Sequence, residues 1–159
     1  MSQDNDAQLR RRIECILERY PNASSLMVRQ RLIVNVKPAH LYLHLIPFYD
    51  QCRIDDGADI QRELGKMMAM HLGLSVIVRT LSTKLYNYRQ VEQALLELTV
   101  DFNHIEQTRR CKVTHFGYDM AKDEHHHSRW VMVLQKLGHR LPDIWQVLRK
   151  SVRVEPIDR

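Results

Sequence analysis

Between Asp6 and Tyr20 the apolar residues Leu9, Ile13, Ile16, Leu17 and Tyr20 recur every three or four positions. That is the period of a helix with one buried stripe, and Pro21-Asn22 ends it. From Arg31 the period changes to two. Leu32, Val34 and Val36 alternate with Arg31, Asn35 and Lys37, with Ile33 breaking the polar side. Beyond Lys37-Pro38-Ala39-His40, Leu41, Leu43 and Leu45 alternate with His40, Tyr42 and His44. Two alternating runs about a proline-bearing turn predict a β-hairpin with one face on a core. Pro47 makes a long helix through this stretch costly.

Asp56-Gly57 opens a second helix, with Ile60, Leu64, Met67, Met68 and His71 inward and Gly73 placed as a left-handed C-terminal cap. Residues 74–81 carry Val76, Ile77, Val78 and Leu81 on both faces and predict an interior strand. Asn87 and Gln90 resemble a capping box for a long helix over about 88–109, whose stripe is Val91, Leu95, Leu98, Phe102 and Ile105. Residues 111–118 form a weaker strand candidate ended by Gly117. A helix over about 122–137 carries Trp130, Val133, Leu134 and Leu137 and closes at Gly138. Pro142 begins a short final helix with Ile144, Trp145 and Leu148, followed by a flexible tail at 152–159. The predicted class is α+β: one domain over 1–151, with a small antiparallel or mixed sheet of about four strands packed by about five helices. An all-α alternative turns residues 24–46 into two helices, and the leucine alternation favours the sheet.

Composition changes this picture little. With 159 residues, 44% hydrophobic and 27% charged, the chain has the make-up of an ordinary folded domain. Its apolar runs are too short to span a bilayer, and its polar, acidic start lacks the pattern of an export signal. A cytoplasmic location and no membrane partner are therefore expected. Cys15, Cys52 and Cys111 are odd in number and far apart, which argues against a disulfide framework. Without export, Asn22-Ala23-Ser24 has no role as a glycosylation acceptor.

Charge adds more. The formal net charge is +5, with local clusters at Arg10 to Arg12, at Arg109-Arg110 with Lys112, and at Arg149-Lys150. Such a balance favours acidic partners, nucleic acid first. On the predicted hairpin, Arg31, Asn35, Lys37, His40, Tyr42 and His44 share one basic face with an embedded aromatic, suited to a phosphate backbone and a stacked base. Read as helices instead, residues 24–32 and 38–46 give a helix-turn-helix with His40 and His44 towards the groove. A non-enzymatic accessory or regulatory protein follows, binding nucleic acid or an acidic protein through this face and Arg109, Arg110 and Lys112.

Two other functions stay open. Arg79, Arg109 and Arg110 suit an anionic small molecule held by a small enzyme or sensor, with Arg79, Ser82, Thr83 and Lys84 forming an anion-binding strand-to-helix loop. Asp119, Asp123 and His127 lie on one helical stripe and make a weak metal-ligand set, with His115 as a possible fourth. The run His125 to His127 points three ways on a helix and does not converge on one ion. His40 and His44 have helical zinc spacing but lose it on a strand. Cys111 and His115 lack an orienting third group, so Cys111 reads as a buried structural thiol. No glycine-rich phosphate loop occurs. No catalytic residue, resident metal or cofactor is assigned, and the 88–109 stripe suits a homodimer seam.

Overall fold

In the computed structural model the described residues are 3–32 and 35–157, with side chains to residue 149. They form nine helices and no strand: α1 Gln3–Arg19, α2 Ser25–Arg31, α3 Pro38–Asp50, α4 Gly57–Ala69, α5 Leu74–Thr83, α6 Tyr88–Asp101, α7 His104–Phe116, α8 Glu124–Lys136 and α9 Leu141–Ile157. The expected sheet is thus absent among the described residues, and the all-α alternative describes the chain. None of these helices is long and apolar enough to cross a membrane.

Each lost strand has a local cause. In α3 the buried residues are Leu41, His44, Leu45, Phe48 and Tyr49, a helical 3–4 spacing. Leu43, which completed the period-two pattern, is 65% exposed. The leucine alternation therefore mixed one surface leucine with a helical stripe. Pro38 sits in the first helical turn, where its missing N–H costs nothing. Pro47 lies inside α3 but on its exposed side, one turn before the end, so the carbonyl it leaves unpaired faces water. Ile33 and Val34, part of the first expected strand, lie outside the described residues. The 74–81 strand is α5, with Ile77 and Leu81 fully buried four residues apart while Ser75 and Arg79 are exposed. A short apolar run of this kind carries no period that separates strand from helix. The 111–118 strand is the second half of α7, closed by Gly117 at φ +77°.

The long 88–109 helix is two helices. Asn103 leaves the helical path and its side chain accepts from the Glu106 N–H, starting α7 afresh. The expected seam is thus divided between α6 and α7. Gly73 is not the left-handed cap of α4; His71 takes that conformation at φ +58°. Gly73 is instead set by a close backbone approach, since a Cβ there would lie 2.1 Å from the Gly138 carbonyl.

By contacts the chain divides into two compact units, residues 1–62 with 81–96 and residues 63–80 with 97–159. The first unit buries Leu9, Ile13 and Leu17 of α1 against Val28, Leu41, Leu45, Phe48, Tyr49 and Ile54. Each such fully buried side chain contributes about 1.5–3 kcal/mol. At its centre lies Asp56, with no exposed surface. Its carboxylate accepts from Ser25 N (2.7 Å), Ser25 Oγ (2.6 Å) and Asn87 N (2.6 Å), so one anion holds the starts of α2 and α6. Tyr49 Oη lies 2.8 Å from Ser25 Oγ, and burial raises its pKa. Gln90, expected to close a capping box on Asn87, accepts instead from Asp56 N.

The second unit packs Cys111, Leu134, Ile144 and Leu148 with Phe116, Trp130, Val131 and Leu137. Its junction rests on the Leu137 and Gly138 carbonyls: Gly73 N donates to Leu137 O (2.9 Å), and Ser75 Oγ donates to Gly138 O (3.0 Å). His139 is buried beside it, with Nε2 2.9 Å from His71 O and Nδ1 3.0 Å from Thr108 Oγ1. A carbonyl only accepts, so Nε2 carries a proton in the neutral ring.

Candidate functional site

Helix α1 presents three faces. Leu9, Ile13 and Leu17 face the core. Gln8, Arg11, Arg12 and Cys15, spaced three, one and three apart, line a groove of about 610 Å³ with Arg31 and Leu32 of the α2 end. Asp6 and Arg10, one turn apart, face α3. Helical geometry sends the three consecutive arginines in different directions, so Arg11 and Arg12 share the groove while Arg10 does not.

The groove is basic and its cations are free of carboxylates. Residues 10–37 contain seven Lys/Arg and two acids. Arg10, Arg11, Arg12, Arg19, Arg29, Arg31 and Lys37 are all exposed. None of Arg11, Arg12, Arg29, Arg31 and Lys37 has an ion-pair partner among the described residues. The Arg31 guanidinium lies 4.1 Å from the Tyr20 ring centroid, which holds it over an aromatic face at the groove.

On the third face, α3 carries His40 and His44 on one side, four residues apart. His44 is buried, and its Nε2 lies 3.3 Å from Asp6 Oδ1; His40 Nε2 lies 3.4 Å from the same oxygen. The two rings meet edge to face with centroids 4.8 Å apart. Arg10 Nε stands 3.5 Å from His44 Nδ1. Asp6 Oδ1 and His40 Nε2 are shielded from solvent without a hydrogen-bond partner. Asp6 and His40 also line a cavity of about 290 Å³ with Arg12, Asn35 and Val36.

The residues expected on a hairpin face are therefore dispersed by the helical fold. Arg31 ends α2, Asn35 and Lys37 are exposed before α3, and His40 and His44 turn towards α1. Tyr42 is half-buried edge-on to Tyr49, 5.6 Å between centroids, and so offers no stacking platform. Its burial raises the hydroxyl pKa.

In the second unit Arg109, Arg110 and Lys112 are already engaged. Arg109 and Arg110 both pair with Glu106, one turn back on α7. Lys112 is buried; its Nζ donates to Gly117 O and Asp119 O at 2.7 Å each and stands 5.4 Å from the Trp130 ring. It thereby caps the carbonyl end of α7, the favourable place for a cation, and burial lowers its pKa. Arg79 is exposed on α5. Ser82, Thr83 and Lys84 are exposed at the C-terminal end of α5, where carbonyls rather than N–H groups emerge, the wrong polarity for an anion.

Asp123 is the N-cap of α8, accepting from His126 N at 2.9 Å, while Asp119 lies outside any helix. Asp123 and His127 border a cavity of about 320 Å³ with Lys112 and Trp130. Among the described residues, the set of three or more metal-ligating side chains whose donor atoms converge is Asp6, His40 and His44, not Asp119, Asp123 and His127. The His40/His44 spacing was legible in the sequence; Asp6, over thirty residues away, carried no signal. Cys111 is fully buried and its thiol is pushed up to about 11, so it is an inert core residue. No family model, curated protein or solved structure matches the chain.

Proposed function

We propose that the chain is a binding protein for a phosphate-bearing partner, nucleic acid first, and that the α1–α2 groove is its contact surface. The observation that carries this reading is the row of exposed, carboxylate-free arginines Arg11, Arg12 and Arg31 along one groove. Free guanidiniums contribute the full counterion-release gain on meeting phosphates, whereas arginines already paired to glutamate must first give up that partner. Arg109 and Arg110, tied to Glu106, are thus the weaker candidates. The reading is of a non-enzymatic protein in the cytoplasm, where Cys15 and Cys52, both exposed and free, stay reduced.

The groove volume favours a second reading, a compact anionic small molecule, because about 610 Å³ falls in the range of ligand sites. Salt separates the two. Titrating fluorescent single- and double-stranded oligonucleotides against salt is expected to give a steep loss of affinity. Arg11→Glu/Arg12→Glu lowers the slope of log K on log salt by about 2, and Arg109→Glu/Arg110→Glu leaves it nearly unchanged. Absence of oligonucleotide binding at low salt ends the nucleic-acid reading. A free nucleotide that binds, and loses affinity with the Arg11/Arg12 reversal, installs the second reading.

A further inference from the structure

We propose that Asp6, His40 and His44 form a zinc site, with Asp6 Oδ1 and the two Nε2 atoms as ligands and the fourth position taken by water or an anionic group. The three ligands line no part of the α1–α2 groove, although Gln8 and Arg12 border both.

Two of the three ligand separations already match those around a small cation, and all three donor atoms lie within 4.8 Å of one another, so a modest turn of the His40 or His44 ring closes the set. An N–H···O bond places its heavy atoms 2.7–3.2 Å apart. Both Nε2 atoms stand beyond that, at 3.4 and 3.3 Å from one shared oxygen. Two ligands held at about 2.0–2.1 Å in a tetrahedron are separated by about 3.3 Å. Asp6 Oδ1 and His40 Nε2 are moreover screened from water with no hydrogen-bond partner. A buried polar atom in that state is destabilising; a shared cation satisfies both at once.

The donor set selects the cation. Two imidazoles and one carboxylate suit zinc and its neighbours, whereas calcium and magnesium require oxygen cages. Three protein ligands leave one tetrahedral position, as in open zinc sites rather than closed structural ones. Asp6 and His40 border the cavity that also holds Arg12 and Asn35, so the fourth ligand meets a cationic and an amide side chain. Arg10 and Arg12 lower affinity for the bare ion and raise it when the fourth ligand is an anion.

One contact must change on binding. Arg10 Nε is 3.5 Å from His44 Nδ1, a weak contact at the limit of hydrogen bonding. With Nε2 on zinc, Nδ1 carries the proton, and Arg10, which is exposed, turns outward to solvent.

The test is calorimetric titration of the tag-free chain with zinc chloride alone, paired with thermal unfolding. One zinc per chain and a Tm that climbs with zinc concentration are expected. Asp6→Asn and His40→Gln, both at part-exposed side chains, each lower the affinity at least tenfold with helical content retained. His125→Gln/His126→Gln/His127→Gln leaves it unchanged. Zinc that fails to bind stoichiometrically overturns the site, as does zinc lost only with the 125–127 run. Cobalt(II) bound to the unsubstituted chain gives tetrahedral ligand-field bands; an octahedral spectrum also overturns it.

Discussion

The two units solve the same problem with opposite charges. The first buries an anion, Asp56, among the starts of α2 and α6, and leaves its arginines on α1 and α2 without carboxylate partners. The second buries a cation, Lys112, against carbonyls at the end of α7, and ties Arg109, Arg110 and Arg140 to carboxylates within one turn. Both choices follow the helix dipole, with negative charge at N–H ends and positive charge at carbonyl ends. The lesson concerns the surface. By sequence charge the units look alike, yet among the described residues the first keeps a row of guanidiniums ready for an outside anion.

The comparison breaks most severely at Asp56. Asp56→Ala strands the Ser25 and Asn87 donors in the core and is expected to cost about 3–5 kcal/mol. Urea denaturation followed by circular dichroism measures the loss; an unchanged midpoint would show that the anion hub is dispensable.

Next comes the backbone junction of the second unit. Gly73→Ala places a Cβ 2.1 Å from the Gly138 carbonyl, and no side-chain rotation relieves a backbone clash. The expected cost is about 1–3 kcal/mol, read as a lower Tm in calorimetry, whereas Gly65→Ala, inside α4 with open space around its Cβ, raises the Tm.

The smallest expected effect sharpens the contrast by pH. Burial lowers the pKa of His139, and of His104 to which the nearby Arg140 adds. Both rings are neutral in the folded unit, so the unfolded chain binds more protons once the pH drops below its ordinary 6.5. Stability is therefore full above pH 6.5 and declines from there towards the lowered folded pKa values. Thermal unfolding from pH 7.5 to 5 should show that decline, flattened in His139→Gln.

Helix α1, the α4 start at Asp56-Gly57, α8 with its Gly138 stop, and the proline start of α9 were legible, because each has a long stripe or a terminal signal; α9 itself runs on to Ile157, through residues expected as a tail. The α3 and α5 segments were not. Leu43 mimics strand alternation, residues 74–81 read as an interior strand because they are apolar on both faces, and only burial tells the packed leucines from the exposed one. The zinc ligands were half legible: His40 and His44 carried helical spacing, but that spacing was set aside once the segment read as a strand.

By itself the sequence determined where charge accumulates, where several of the helices begin, and that three cysteines make no framework. The pairs of Arg109 and Arg110 with Glu106 follow from sequence spacing once the segment is helical. Tertiary structure alone decided the pairs between distant elements, such as Arg53 with Glu14, because Coulomb interactions decay over a few ångströms that sequence spacing does not specify there. The same holds for Asp6 beside His40 and His44: packing of α1 on α3 brings them together, because burying Leu9 and Ile13 with Leu41 and Leu45 fixes which turns of the two helices meet.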